Sequence, residues 1–179
     1  EESGTPSGVS VLYIHGGPGA GCDENPRRFF DPKKCRIIIF DQRGSGRSKP
    51  YASTYANTTQ HLVEDIRKLL DTLGVSKVLL FGGSWGSTLA LVYAITHPEM
   101  ILGMVLRGIF LSEKNECLDY LTGNSSRSRF PEICERFLNN VPDDARKNPA
   151  DYYFAMMTSG DPKARRKYAY EWAFYEAAR

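Results

Sequence analysis

Histidine and cysteine are scarce: the 179 residues hold three of the first and four of the second. Cys22, Cys35, Cys117 and Cys134 show no C-x-x-C spacing. They read as four reduced thiols rather than a zinc site or a disulfide framework, and the expected compartment is the cytoplasm. No apolar run approaches the roughly 18–20 residues that a bilayer-spanning helix needs, and no signal-peptide apolar region is visible. Neither sign of charge dominates. The net charge is +2 and the basic residues are dispersed, which argues against a nucleic-acid stripe or a membrane-binding surface. What remains is ordinary globular composition, 41% hydrophobic and 25% charged, with length for one domain and room for an added lobe.

Two parts are distinguishable. In residues 1–112, short apolar runs at 9–14, 36–40, 78–81 and 103–106 are each followed by turn residues, as buried strands of a parallel sheet are. Between the second and third runs, Leu62, Val63, Ile66, Leu69, Leu70 and Leu73 form a helical stripe, with Asn57 as the expected N-cap, Gln60 three residues on, and Gly74 as the stop. Between the third and fourth, residues 85–97 carry Leu89, Leu91, Val92 and Ile95 before Pro98. Strand–helix alternation predicts an α/β fold. Residues 113–179 are more polar and lack a strand-like run. Pro131, Asn148-Pro149 and Asp161-Pro162 mark helix starts there, and 123–129 reads as a loop. The expectation is an incomplete core over 1–112 and an incomplete helical lobe over 113–179. The chain starts Glu-Glu-Ser-Gly without Met and stops inside a helical pattern, so it reads as part of a longer protein.

The stretch His15-Gly16-Gly17-Pro18-Gly19-Ala20-Gly21 follows the first long strand. It is either a plain turn or a backbone shaped to aim N–H groups at a reacting oxygen. Residues 82–86, Gly-Gly-Ser-Trp-Gly, weigh on that choice. They form G-x-S-x-G between a predicted strand and a predicted helix, the context in which a serine is pushed out on a tight turn. Small residues are needed on both sides, here Gly82 and Gly86, and the helix aims its first N–H groups at developing negative charge. An acyl-transfer enzyme needs two N–H donors for its oxyanion, one from the residue after the nucleophile, Trp85, and one from a loop after an earlier strand. The 15–21 loop fits the second.

HGGPGAG at 15–21, DQRGSGRS at 41–48, Asn57-Thr58-Thr59 opening a helix and GGSWGSTLAL at 82–91 together resemble the proline iminopeptidase family. The resemblance covers most of residues 9–112. It implies a partial α/β-hydrolase fold, a mostly parallel sheet with the start of a helical cap. It implies that Ser84 is acylated, that the N–H groups of Gly17 and Trp85 form the oxyanion hole, and that no metal or cofactor takes part. The implied partners are small peptides with a free N-terminus, from which N-terminal proline is removed, and the remaining C-terminal part of the same enzyme. Nucleic acid and membranes are not among them. The family anchors the substrate amine with cap carboxylates, one in a Trp-x-x-Trp-Glu pattern. Trp172-Ala173-Phe174-Tyr175-Glu176 matches it with Tyr for the second Trp, which makes Trp172 and Glu176 substrate-binding candidates. From the residues alone, Glu176 reads as a solvated charge; the resemblance is what makes it an amine ligand.

The base is not found. His97 ends the helix that Ser84 begins, roughly 20 Å away at 1.5 Å per residue. His61 starts the preceding helix, and His15 reads as a residue that orients its loop. Asp41 and Arg43 read as a hydrogen-bonded corner. Asp119, Asp143, Asp144, Asp151 and Asp161 all fall in the lobe. The family's acid and histidine lie on later strands, so they are expected beyond residue 179. Two other functions stay open: an α/β-hydrolase of different specificity (broader aminopeptidase, amidase or esterase), and a non-catalytic binding module of the same fold.

Overall fold

A computed structural model describes residues 1–178, excepting the side chains at 124 and 125; the last residue of the predicted terminal helix, Arg179, lies outside the described residues. The strands are β1 (Glu2–Gly4), β2 (Val9–Ile14), β3 (Cys35–Ile39), β4 (Val78–Gly83) and β5 (Ile101–Arg107). They form one sheet in the order β1-β3-β2-β4-β5. β2 is parallel to both β3 and β4, and β4 is parallel to β5, while β1 is antiparallel to β3. The chain divides into two compact units, Glu1–Ser112 and Glu113–Arg179.

In the first unit, helix α1 (Thr59–Thr72) buries Leu62, Val63, Ile66 and Leu70. The predicted stripe is therefore its core face, and Gly74 follows at φ +64° as expected of a helix stop. The start differs. Thr58 is the N-cap and its side chain accepts from the His61 N–H, while Asn57 Nδ2 donates to the carbonyls of Arg43 and Ser53. Helix α2 (Trp85–Thr96) also turns otherwise than its longest apolar residues suggest. Its buried line is Gly86, Leu89, Ala90 and Tyr93, whereas Ile95 is 79% exposed. Both helices pack on one face of the sheet, with Leu12, Ile14, Ile38, Val78 and Leu80 in a single cluster. β1 escaped the sequence because it is three residues of Glu, Ser and Gly, with no apolar period to read.

The second unit is helical: α3 (Lys114–Thr122), α4 (Asn124–Arg129), α5 (Pro131–Asn139), α6 (Pro149–Met157) and α7 (Pro162–Ala177). The predicted loop at 123–129 is a correction, because it forms the short helix α4. Asp161 caps α7 by accepting from the Lys163 N–H at 2.9 Å; Asn148 precedes α6 without a side-chain cap bond. The core of this unit is aromatic. Phe137 stacks on Tyr153 at 4.3 Å and on Tyr175 at 4.2 Å. The buried hydroxyls are satisfied locally, Tyr153 on the Phe137 carbonyl and Tyr175 on that of Tyr120, as buried tyrosines require. No helix among the described residues is long and apolar enough to cross a membrane.

Candidate active site

β4 runs between β2 and β5, and only Ser84 separates its last residue, Gly83, from the start of α2 at Trp85. Reversing from strand to helix in a single step forces Ser84 to φ 54°, ψ −126°, a conformation a side-chain-bearing residue adopts only under constraint. The Ser84 N–H donates to the Arg107 carbonyl at 3.1 Å, so the end of β5 holds the turn. The two flanking glycines are sterically required. A Cβ on Gly82 would lie 2.3 Å from the Gly86 carbonyl oxygen, and one on Gly86 would lie 2.1 Å from that of Ile14. The turn is therefore pressed against the end of β2, where the 15–21 loop begins.

That proximity decides what the loop can do. A Cβ built on Gly16 would lie 3.4 Å from Ser84 Cβ and 3.9 Å from its hydroxyl. Gly17 sits at φ +113°, accessible to glycine alone among common residues, and the Gly17–Pro18 bond is cis. Among the described hydrogen bonds, neither the Gly17 nor the Trp85 N–H has a protein acceptor. Trp85 is the first residue of α2, where a helix leaves its N–H unpaired. The structure thus brings a strained Ser84, Gly16-Gly17 and the start of α2 to one end of the sheet.

His15 does not serve as a base for this serine. It is 2% exposed. Its Nε2 accepts from the Gln42 N–H at 3.0 Å, which leaves Nδ1 protonated and donating to the Gly16 carbonyl at 2.8 Å. Both ring nitrogens are spent and the ring is neutral. Burial lowers its pKa, against the opposing pull of the Gly16 carbonyl and Asp41. His61 Nδ1 pairs with the Thr58 hydroxyl, and His97 stands at the far end of α2 beside Glu99 and Tyr93.

Gln42 was not singled out in the sequence, yet it ties the site together. It is 2% exposed, its amide donates to the His15 carbonyl at 2.8 Å, and its Oε1 accepts from the Trp85 indole at 3.1 Å. Its neighbours form the expected corner. Asp41 accepts from the N–H groups of Cys22 and Arg47 and from the Arg47 guanidinium. Burial pushes its carboxyl pKa up, but these bonds outweigh it and the pKa is lowered. Arg43 makes a two-pronged pair with Asp65 and also donates to the Ala56 carbonyl. Cys22 is held by the same corner, and burial drives its thiol pKa to about 12, so it is an inert thiol.

Comparison with known proteins identifies the family to which this fold belongs. The profile of the alpha/beta hydrolase fold family matches residues 9–173. The chain belongs to the alpha/beta hydrolase fold family. Within it, a proline iminopeptidase of Neisseria meningitidis serogroup B is 46% identical over 178 residues, 99% of this chain and 57% of that protein. A probable proline iminopeptidase of Leptolyngbya boryana is 44% identical over 176 residues, 98% of this chain and 54% of that protein. The chain spans about half the length of the curated relatives it matches. Among solved structures, the proline iminopeptidase of Mycobacterium smegmatis superposes with a TM-score of 0.61 at 18% identity, over 98% of this chain and 61% of that one. A proline iminopeptidase-related protein of Thermus thermophilus gives 0.57 at 24%, over 99% and 61%. At these identities the two structures speak to fold alone. The α/β-hydrolase fold and mostly parallel sheet expected from the sequence are those of the molecule.

The two other candidates of this α/β-hydrolase chain, Trp172 and Glu176, lie one turn apart on α7 of the second unit. Trp172 is half-buried and packs edge-on against Phe137 at 5.8 Å and Tyr153 at 5.7 Å. Glu176 is exposed.

Proposed function

We propose that the chain carries the nucleophile and oxyanion hole of a serine aminopeptidase that releases N-terminal proline from peptides. The observation carrying this reading is the strained Ser84 directly before α2, with Gly16 of the glycine loop against it, joined to relatives named proline iminopeptidases. Ser84 Oγ attacks the prolyl carbonyl, and its proton passes to a base. The carbonyl oxygen becomes an oxyanion that receives the two N–H groups. Collapse expels the shortened peptide, which takes the proton as a free amine, and leaves a prolyl ester on Ser84. Water then hydrolyses that ester by the same path reversed.

The base and its orienting acid are contributed from beyond this chain, since its three histidines are engaged elsewhere. Without them the oxyanion hole supports only residual turnover. In the same reading, residues 113–179 are the start of the cap, Glu176 receives the substrate's cationic amine and Trp172 lines the pocket for its ring. Work in the cytoplasm, on small peptides and without metal or cofactor, completes the proposal.

The test is a prolyl amide reporter assay on a preparation whose intact mass is known. Activity requiring a second polypeptide or a longer chain, lost in Ser84→Ala and on N-acylated substrate, is expected. Full activity from a single 20.1 kDa species overturns the assignment of the base. Hydrolysis of simple esters alone overturns the amine-directed specificity.

A further inference from the structure

We propose that the buried hydroxyl of Ser87 and the buried imidazole of His15 are matched positioning groups for the oxyanion hole, each gripping the carbonyl end of the peptide unit whose N–H end faces the reacting oxygen. This rests on the reading of the Gly17 and Trp85 N–H groups given above.

A trans peptide unit is planar, with C=O and N–H pointing in opposite directions. Fixing one end aims the other. The Trp85 N–H shares its unit with the Ser84 carbonyl. That carbonyl accepts from the Ser87 N–H at 2.8 Å and from Ser87 Oγ at 2.6 Å. The Gly17 N–H shares its unit with the Gly16 carbonyl, which accepts from His15 Nδ1 at 2.8 Å and from the Ala20 N–H at 3.4 Å. Neither unit is cis; the cis bonds are Gly17–Pro18 and Lys49–Pro50. Each donor nitrogen therefore sits on a peptide whose far end is held twice, once by a side chain and once by backbone.

The two side chains are anchored alike. Ser87 Oγ accepts from the Phe110 N–H at 3.0 Å, beyond β5. His15 Nε2 accepts from the Gln42 N–H at 3.0 Å, beyond β3. Each group takes a hydrogen bond from a neighbouring strand's exit and gives one to a carbonyl of the site. Such chains polarise their members, so the same bonds that orient the two N–H groups strengthen them as donors. Ser87 is fully buried and His15 is 2% exposed, which removes competition from water. The loops leaving β2, β3, β4 and β5 are locked to one another at the point where oxyanion geometry is set.

Deleting a whole oxyanion donor costs about 10²–10³ in kcat. Removing one of two grips leaves the donor present but loosened, and half of that free energy corresponds to roughly 10–30-fold. The experiment uses the full-length protein that carries this chain, with Ser87→Ala, Ser87→Thr, His15→Leu and Thr88→Val. Thr88 is the control, since its hydroxyl bonds the Phe110 carbonyl and so ties the same β5 exit without touching the Ser84–Trp85 peptide. The readouts are kcat and KM on a prolyl amide, inhibition by prolinal, whose hemiacetal places an oxyanion in the hole, and inhibition by proline, which does not. Ser87→Ala and His15→Leu are expected to lower kcat and prolinal affinity together by roughly 10–30-fold, the loss argued above from the oxyanion-donor scale. KM and proline inhibition stay within about twofold, as for an interaction made only in the transition state. Ser87→Thr recovers most of the loss, and Thr88→Val melts earlier but turns over normally. Unchanged kcat and prolinal affinity in Ser87→Ala, or an equal loss in Thr88→Val, overturns the inference. Full activity in Ser84→Ala would instead overturn the function reading beneath it.

Discussion

Gly86→Ala tests the packing that makes the site. The added Cβ would stand 2.1 Å from the Ile14 oxygen and 3.0 Å from the Ile14 carbon and the His15 oxygen, all backbone, where ordinary contact begins at 3.4 Å. Something must move by about 1.3 Å, and no flexible side chain is available to give way. Ile14 ends the strand that pairs with both β3 and β4, and it is itself the partner of Gly82. The shift therefore falls on the junction of the serine turn with the glycine loop. Overpacking of this kind costs about 2–4 kcal/mol, which for a chain of this length lowers Tm by roughly 5–15 °C. If the proposed function holds, a displacement of this size between Ser84 and the proposed donors is expected to cost about 100-fold or more in the activity of the full-length protein. Gly103→Ala is the paired control, because a Cβ there meets nothing within 4 Å; it is expected to be neutral or stabilising by up to about 1 kcal/mol. Thermal melts of the two variants against the parent decide the matter. Gly86→Ala melting within about 2 °C of the parent, or Gly103→Ala falling as far, refutes the argument.

Ser84→Gly relieves the backbone at φ 54° and is expected to raise stability by about 1 kcal/mol while ending turnover; equal or lower stability by urea unfolding would show that the turn stores no strain. Phe137→Ala opens the aromatic core of the second unit, where Phe137 is 1% exposed, and is expected to cost about 3–5 kcal/mol; a loss below about 1 kcal/mol in urea melts contradicts the stacking assignment. Because the folded His15 pKa is lowered, the unfolded chain binds the proton more readily, so stability is fully present above the unfolded value of about 6.5 and declines as pH falls below it. Urea midpoints at pH 7.5 and 5.5 should therefore separate less in His15→Leu than in the parent, and equal separations would remove His15 from the balance.

What the sequence discloses follows from the kind of constraint each residue meets. Gly82, Gly86 and Gly17 were readable because a strained turn and a close approach admit almost nothing else. The stripe of α1 was readable because Leu62, Val63, Ile66 and Leu70 all face one core. α2 was harder. Its buried line includes Gly86 and Ala90, which carry little hydrophobic signal, while the exposed Ile95 carries much. The choice between Asn57 and Thr58 as cap turned on Asn57 being occupied by the carbonyls of Arg43 and Ser53, partners set by the fold and not by spacing along the chain.

The same division runs through the site. Backbone donors are encoded locally, as glycine and proline patterns that shape a loop, so both halves of the proposed oxyanion hole stand out in HGGPGAG and GGSWG. The groups that aim those donors are encoded by contacts between loops that leave different strands. Gln42 sits between Asp41 and Arg43, whose pairs with Arg47 and Asp65 have counterparts visible as charges, whereas its own partners are the His15 carbonyl and the Trp85 indole. Ser87 looks like any small residue in the first turn of a helix, and only the arrival of the Phe110 N–H shows that its hydroxyl is occupied on both sides. A buried polar side chain with both its donor and its acceptor used, next to an N–H that has no partner, is the structural mark of a positioning residue. It follows from the cost of leaving such groups unpaired and leaves no trace in periodicity, spacing or composition.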